Sequence, residues 1–358
     1  MSFRLGGDDG VSVESRKWAG ALAELGFEVR QVAGELSGPI GDDDLVVPGL
    51  AMEAESGAPS AEAIGAAIDG SDLIVVENLC SLPVNPGASR AVGAALSTYR
   101  GRVVLHHHDL PWQRARSEYR ELETEFPPRV EGALHVTINH RSRRELAARG
   151  YEGAVTVHNR FDLDPPTDPP RRDETRDALG FRADDVVLLQ PARAIERKNV
   201  PGGVRFAAEL QRALPDREVR YWLSGPAELG YGPTLERVLE KSTVPTTVGR
   251  APTAADAYAA CDAVVFPSTW EGFGNPTIES IAQRRPLAAF HYPVLHEITA
   301  YGLRFFELDD APALARFIRD PEARLLDTNL RRARSAFSIA ELPAAIDAAF
   351  NAHGWLAW

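Results

Sequence analysis

Two glutamates, Glu271 and Glu279, lie in the segment VVFPSTWEGFGNPTIESIAQRRP, residues 264–286, where the residue pattern changes. An apolar run suited to a strand ends at Phe266, and a turn with two glycines follows, holding Glu271, Gly272, Phe273, Gly274 and Asn275. A helix is expected to open after it, with Asn275 as the N-cap and Pro276 as the first helical residue. The first-turn amides of a helix are unpaired donors carrying partial positive charge, and they favour an anion or a hydroxyl-rich ligand. Glu271 in the turn and Glu279 near the end of the first helical turn can face the same ligand. Carboxylates accept hydrogen bonds in pairs, which suits the vicinal hydroxyls of a sugar. A purely structural reading has Glu279 complementing the helix dipole and Glu271 capping the loop. The glycines, which let a backbone approach closely, favour the binding reading.

A second set of chemically capable residues follows the apolar run 186–190, in PARAIERKNV. Arg193 and Lys198 fall at a strand end and in the loop before the next helix. A guanidinium and an ammonium there suit a diphosphate, and a solvated basic loop is the plainer alternative. A third set is VVLHHHDLPWQR, residues 103–114. Strand alternation puts His106 and His108 on one face and His107 on the other. The trio reads either as a cluster satisfied by backbone or as a metal site; metal is disfavoured because His106 and His108 are the only same-face pair and no third ligand is visible. Glu77 and Asn78 follow another strand end and are candidates for contacting a second substrate, with loop capping as the alternative. Near the start, the glycines Gly6 and Gly7 and the acids Asp8 and Asp9 follow a short strand, residues 2–5. Such a loop suits close approach to a phosphate, a signal shared with dinucleotide-binding folds.

EGFGNPTIE resembles the E-x7-E motif of retaining GT-B glycosyltransferases of the family four type, also called glycosyl transferases group 1. The preceding CDAVVFPSTW and the following ESIAQRRPLAAF resemble the strands and helix that frame that motif, and Arg193 with Lys198 resembles the family's Arg-x4-Lys pair. The resemblance is strongest over residues 186–299. It implies two Rossmann-like βαβ domains facing each other across a deep cleft, with the nucleotide sugar on the C-terminal domain, the acceptor on the N-terminal domain, and closure that excludes water. It implies that Glu271 contacts the hydroxyls of the transferred sugar and Glu279 the donor ribose, while Gly272, Phe273, Gly274 and Asn275 approach the sugar through their amides. Arg193 and Lys198 would stabilise the leaving diphosphate, Gly249 and Arg250 would frame the base, and Gly6 and Gly7 would approach diphosphate and acceptor. His108 with Asp109 matches the family's His-Asp, whose His contacts the donor sugar; Asp8, Glu77, Asn78 and Asp109 become acceptor candidates. Arg197 matches nothing in the pair and is expected to be exposed. The implied reaction is retaining hexosyl transfer from a UDP-glucose or GDP-mannose type donor to an acceptor hydroxyl, with no metal and no cofactor, the nucleotide sugar being a substrate. Competing readings are a phosphorylase, a sugar-nucleotide epimerase, or a non-catalytic nucleotide-sugar-binding protein.

Positioning these residues requires alternating strands and helices. Strands are expected at residues 27–32, 73–76, 103–107, 134–138, 154–157, 186–190, 219–223, 246–248, 263–266 and 287–290. Helices are expected at 13–25, 61–67, 88–99, 141–149, 202–214, 234–241, 254–260 and 277–283. That alternation gives an α/β protein with parallel sheets, whose ligands bind beyond the carboxyl ends of the strands. The 358 residues suffice for two domains, each with its own core. The expected division is 1–160, a linker at 161–184 that is rich in proline and charge, 185–338, and a C-terminal helix and tail, 339–358, packed back on the first domain, with Trp355 and Trp358 docked. A net charge of −12 excludes a general nucleic-acid binder but leaves room for an anion held by a few local cations. Two cysteines and no leader-like apolar segment point to a cytoplasmic, reducing setting. No run approaches the ~18 apolar residues of a membrane span.

Overall fold

The computed structural model describes residues 1–55, 57–114, 117–164 and 170–355. The chain divides into two compact units: Met1–Arg160 with Ile339–Trp358, and Phe161–Ser338.

The first unit runs β1 (Ser2–Leu5), α1 (Gly10–Glu24), β2 (Val32–Leu36), β3 (Leu45–Val46), α2 (Ala61–Ile68), β4 (Leu73–Glu77), α3 (Pro86–Thr98), β5 (Arg102–His107), α4 (Ser117–Glu121), β6 (Leu134–Thr137), α5 (His140–Ala147) and β7 (Val155–Thr156). All its strand pairs are parallel, in the orders β1-β2-β3 and β4-β5-β6-β7. The Glu77 amide donates to the Met1 carbonyl at 2.8 Å, which joins the ends of β1 and β4. Strand order therefore reverses between β1 and β4, the place where parallel sheets bind ligands. The Gly6–Asp9 loop and the Glu77–Asn78 corner sit at the carboxyl ends of those two strands.

The second unit runs α6 (Arg172–Ala178), β8 (Val186–Gln190), α7 (Val200–Ala213), β9 (Val219–Leu223), α8 (Gly232–Glu240), β10 (Thr246–Val248), α9 (Ala254–Ala260), β11 (Ala263–Phe266), α10 (Pro276–Ala282), β12 (Leu287–Ala289), α11 (Leu295–Thr299), β13 (Phe306–Glu307), α12 (Ala311–Arg319) and α13 (Ala323–Phe337). Its sheet is parallel throughout, in the order β10-β9-β8-β11-β12-β13, with the reversal between β8 and β11. Every residue of β8 and β11 is buried. That is why these strands read as unbroken apolar runs: helices cover both faces of the sheet. One face packs Leu188, Val200, Phe206 and Leu210; the other packs Val187, Leu189, Trp222 and Tyr258.

The chain returns to the first unit through α14 (Leu342–Ala352). Leu342, Ile346 and Phe350 pack with Trp18 and Leu22 of α1 and with Val104, Leu134 and Val136 of the sheet. Each such side chain contributes about 1.5–3 kcal/mol on burial. Trp355 packs on this cluster; Trp358 lies outside the described residues.

Two expectations change. The strand placed at residues 27–32 forms instead at Val32–Leu36. The Phe27 amide is still spent closing α1, on the Leu22 carbonyl at 3.0 Å, and the pairing with β1 begins only at Ala33. The described part of the stretch expected as a linker, 161–184, contains α6, with Arg176 buried: its guanidinium donates to the Ala260 carbonyl at 2.8 Å and contacts Asp262. Proline and charge hid a helix whose arginines serve the second unit's core edge. The helices α12 and α13 carry no expectation above; α13 buries only Asn329, Ala333 and Phe337, so its apolar stripe is faint in the sequence. No helix among the described residues is long and apolar enough to cross a membrane.

Candidate functional site

In the second unit the loops after β8 and β11 meet at the reversal point. Lys198 Nζ donates to Glu271 Oε1 at 2.5 Å, and Arg197 Nη1 donates to Glu271 Oε2 at 2.7 Å. Arg197 also donates to the Trp270 carbonyl at 3.0 Å, and its own carbonyl accepts from the Thr269 amide at 2.9 Å. Gln190, the last residue of β8, holds the Lys198 carbonyl at 2.8 Å. Asn199, in a left-handed conformation with φ 48°, caps α7 through the Gly202 amide at 3.1 Å and turns the chain at this corner. Asparagine tolerates that conformation because its short amide bonds locally.

Glu271 is buried, and burial alone would raise its carboxyl pKa; the charges of Arg197 and Lys198, with their hydrogen bonds, outweigh that and hold it at about 2. Burial is also the main influence on Lys198, which falls to about 8 although Glu271 pulls the other way. One buried carboxylate between two cations leaves a local excess of positive charge, on an acidic chain. That arrangement attracts an anion.

Arg193, expected beside Lys198, donates to Glu228 at 2.5 Å, on the loop after β9. Gly225 makes that approach possible, since a Cβ there would stand 2.7 Å from the Ala192 carbonyl oxygen. Gly274 has φ +98°, and a Cβ would meet Tyr292 Oη at 2.1 Å; that hydroxyl donates to the Phe273 carbonyl at 2.9 Å. Asn275 precedes α10 but adopts helical angles itself and makes no side-chain cap, contrary to expectation. Pro276 takes the first helical position as expected. Glu279 accepts from the Tyr258 hydroxyl at 2.7 Å, and burial with this acid beside it pushes the tyrosine well above its usual pKa. Gly249 accepts from Trp222 Nε1 at 2.8 Å, and Arg250 next to it is exposed.

In the first unit Gly6 has φ +81° and a Cβ there would clash with the Ser37 carbonyl, so the turn requires glycine. Gly7 and the exposed Asp8 follow. Asp9 caps α1 through the amides of Val11 and Ser12, at 3.1 and 3.2 Å, and pairs with Arg4. Asp9 is therefore spent on the fold.

The histidine run has the expected alternation. His106 Nδ1 and His108 Nε2 each lie 2.8 Å from Glu77 Oε2, while His107 turns to Ser81 Oγ at 2.6 Å and His135 at 2.9 Å. The register of β4 against β5 pairs Glu77 with His106, which explains the meeting. Glu77 is thus the third group beside the same-face histidines that the sequence did not reveal, and the three ligand atoms lie within 4.8 Å of one another. Burial disfavours charge on Glu77, but the two imidazoles bring its pKa below the usual carboxylate range. Burial would lower His108; its hydrogen bond and charge interaction with Glu77 reverse that and raise it. Asn78, with φ 58°, accepts from the His108 and Asp109 amides, both at 3.0 Å. Glu77 and Asn78, expected to contact an acceptor, both hydrogen-bond to the His108–Asp109 corner. Asp109 pairs with Arg114 at 2.5 Å.

Arg197, Glu228, Tyr258 and Glu14 were missed. Arg197 was expected to be exposed and is instead a partner of Glu271. Its adjacency to Lys198 was the available signal. Glu14 is buried and paired with Lys17 at 2.6 Å, and nothing in its sequence neighbourhood signals this.

Two parallel α/β units, with an acid held by two cations at the reversal point of the second, have the GT-B fold. Residues 186–320 match the family model Glycosyl transferases group 1. The mannosylglucosylglycerate synthase of Thermotoga maritima is 27% identical over 366 residues, covering 87% of this chain and 84% of that protein. The enzyme of the same name from Petrotoga mobilis is 24% identical, covering 82% of each. Among solved structures, HepE from Anabaena in complex with UDP and glucose superposes with a TM-score of 0.71 at 18% identity, covering 98% of this chain and 100% of that one. A glycosyltransferase from Rickettsia africae superposes with a TM-score of 0.69 at 16% identity, covering 98% of each chain.

Proposed function

We propose that the chain is a retaining hexosyltransferase that moves a glucosyl or mannosyl group from a UDP- or GDP-sugar to a hydroxyl of a small polar acceptor, without a metal. The observation that carries this reading is Glu271 held between Lys198 and Arg197 at the reversal point of the second sheet. Departure of the nucleoside diphosphate places negative charge on the β-phosphate. Lys198 and Arg193 are the cations assigned to that charge, in the role a divalent ion fills in other transferases. Glu271 is assigned to the hydroxyls of the transferred sugar and Glu279 to the donor ribose. In a retaining same-face substitution the leaving phosphate helps to deprotonate the acceptor, so no protein nucleophile is needed. The loops at Gly6–Asp8 and His108–Asp109 are assigned to hydroxyl-bearing ligands.

The similarity to the mannosylglucosylglycerate synthases of Thermotoga and Petrotoga supports mannosyl transfer to a small glycoside, and the UDP complex of HepE supports the nucleotide class. Both cysteines are free and buried, which suits a cytoplasmic, reducing setting. The test is a thermal-shift series with UDP, GDP and ADP, followed by transfer from the matching sugar nucleotide in the presence of EDTA, with product anomers read by NMR. A ligand that binds only the folded chain raises its melting temperature. One nucleotide is expected to stabilise, and the product is expected to keep the donor's anomeric configuration. No stabilisation by any nucleotide, or an inverted product, refutes the reading.

A further inference from the structure

We propose that Arg197 is the positioning residue of the donor site: it keeps hold of Glu271 so that Lys198 can leave that carboxylate for the donor diphosphate. This inference rests on the donor reading above and adds a division of labour between the two cations.

The contacts of the two are unequal. Arg197 is fastened to the Glu271 loop by side chain and backbone: Nη1 to Glu271 Oε2 and the Trp270 carbonyl, and its carbonyl to the Thr269 amide and hydroxyl, at 2.9 and 3.2 Å. Lys198 Nζ meets Glu271 Oε1 and lies 5.6 Å from the centre of the Phe266 ring. A guanidinium offers several donors in a rigid plane, whereas an ammonium is a point charge on a flexible stem. Both backbones are held, that of Lys198 by Gln190 and Ile195, but the Arg197 side chain has two partners on this loop and that of Lys198 one, so the Arg197 side chain is the fixed member and the Lys198 side chain the movable one.

The charge balance requires two cations. Were Lys198 the sole partner of Glu271, its departure for a phosphate would leave a buried carboxylate unpaired, which is strongly unfavourable. With Arg197 on the second oxygen, Glu271 stays paired after Lys198 moves. The charged and titratable groups facing the pair are Arg197, Lys198 and Tyr292 around Glu271, and Glu271, Arg197 and Arg193 around Lys198. Arg197 lowers the pKa of both Glu271 and Lys198, so its removal raises both.

The experiment is calorimetric titration with UDP and with GDP from about pH 6 to about pH 10, spanning the range in which a buried lysine titrates. It uses the full chain, Arg197→Gln and Arg197→Lys, with circular dichroism to establish that each is folded. Wild-type affinity is expected to fall as pH rises past about 8, as Lys198 loses its proton. In Arg197→Gln, affinity near neutrality is expected to drop about tenfold or more, the scale of one charge-assisted contact, and the alkaline fall to move to higher pH. Arg197→Lys, which keeps the charge, is expected to return the fall to the wild-type position. An alkaline fall that stays in place in Arg197→Gln overturns the inference, with or without weaker binding, because a merely structural arginine would not move it. A wild-type chain that binds neither nucleotide refutes the donor reading itself, a separate result.

Discussion

At the residue scale the account turns on a carboxylate whose charge is guaranteed by its neighbours. Glu271 is held at about 2, so it is ionised at any ordinary pH, as the hydroxyl-binding role proposed for it requires. Replacing it by Gln should lower kcat/KM by about 100-fold or more in a transfer assay, the scale of losing a charge-assisted bond made in the transition state. The same shift has a stability consequence. A carboxyl lowered on folding contributes stability that is complete above its unfolded pKa, near 4.5, and is lost as pH falls toward about 2. Denaturant titrations across that acid range should show a steeper loss for the wild type than for Glu271→Gln. Gly274→Ala should destabilise by about 1–3 kcal/mol, since a Cβ at positive φ would press on the Tyr292 hydroxyl; the melting temperature of that variant checks it. Residue types, spacing and the motif resemblance singled out Glu271, Lys198 and Arg193, of which the structure pairs Glu271 with Lys198 and Arg193 with Glu228. Arg197 was not legible, because its role comes from the register of β8 against β11, which brings residues far apart in the chain to one corner. The meeting of Glu77 with His106 and His108 escaped for the same reason: it depends on the pairing of β4 with β5.

At the element scale, the buried central strands were the most legible parts, since a strand covered on both faces has to be apolar at every position. The bounds expected for β8, β9, β10 and β11 coincide with those observed. Elements on the periphery were less so. In β2 the apolar residues Phe27 and Val29 drew the expected strand too early, while the chain there is still closing α1. The arginines of α6 read as linker charge until Asp262 and the α9 carboxyl-end carbonyls supplied their partners. The helix α14 carries the clearest packing prediction: Phe350→Ala should cost about 3–5 kcal/mol by leaving a cavity against Trp18 and the first sheet. Equilibrium unfolding followed through Trp18 and its neighbours should register that loss in the first unit.

At the scale of the whole molecule, two α/β units each place their chemically capable residues at the point where strand order reverses. The alternation of elements made that class legible. The return of the chain through α14 was legible too, because Leu342, Ile346 and Phe350 recur at helical spacing near the C-terminus. The acidity of −12 stands beside one local excess of positive charge at Arg197, Lys198 and Glu271. The central claim, donor cleavage at that site without a metal, is tested most directly by release of nucleoside diphosphate from UDP-glucose and GDP-mannose in EDTA, compared between wild type and Glu271→Gln. The account predicts turnover of one donor by the wild type and a loss of about 100-fold or more in the variant. Turnover that survives unchanged in Glu271→Gln, or none with either donor by a wild-type chain that still binds the nucleotide, would contradict it.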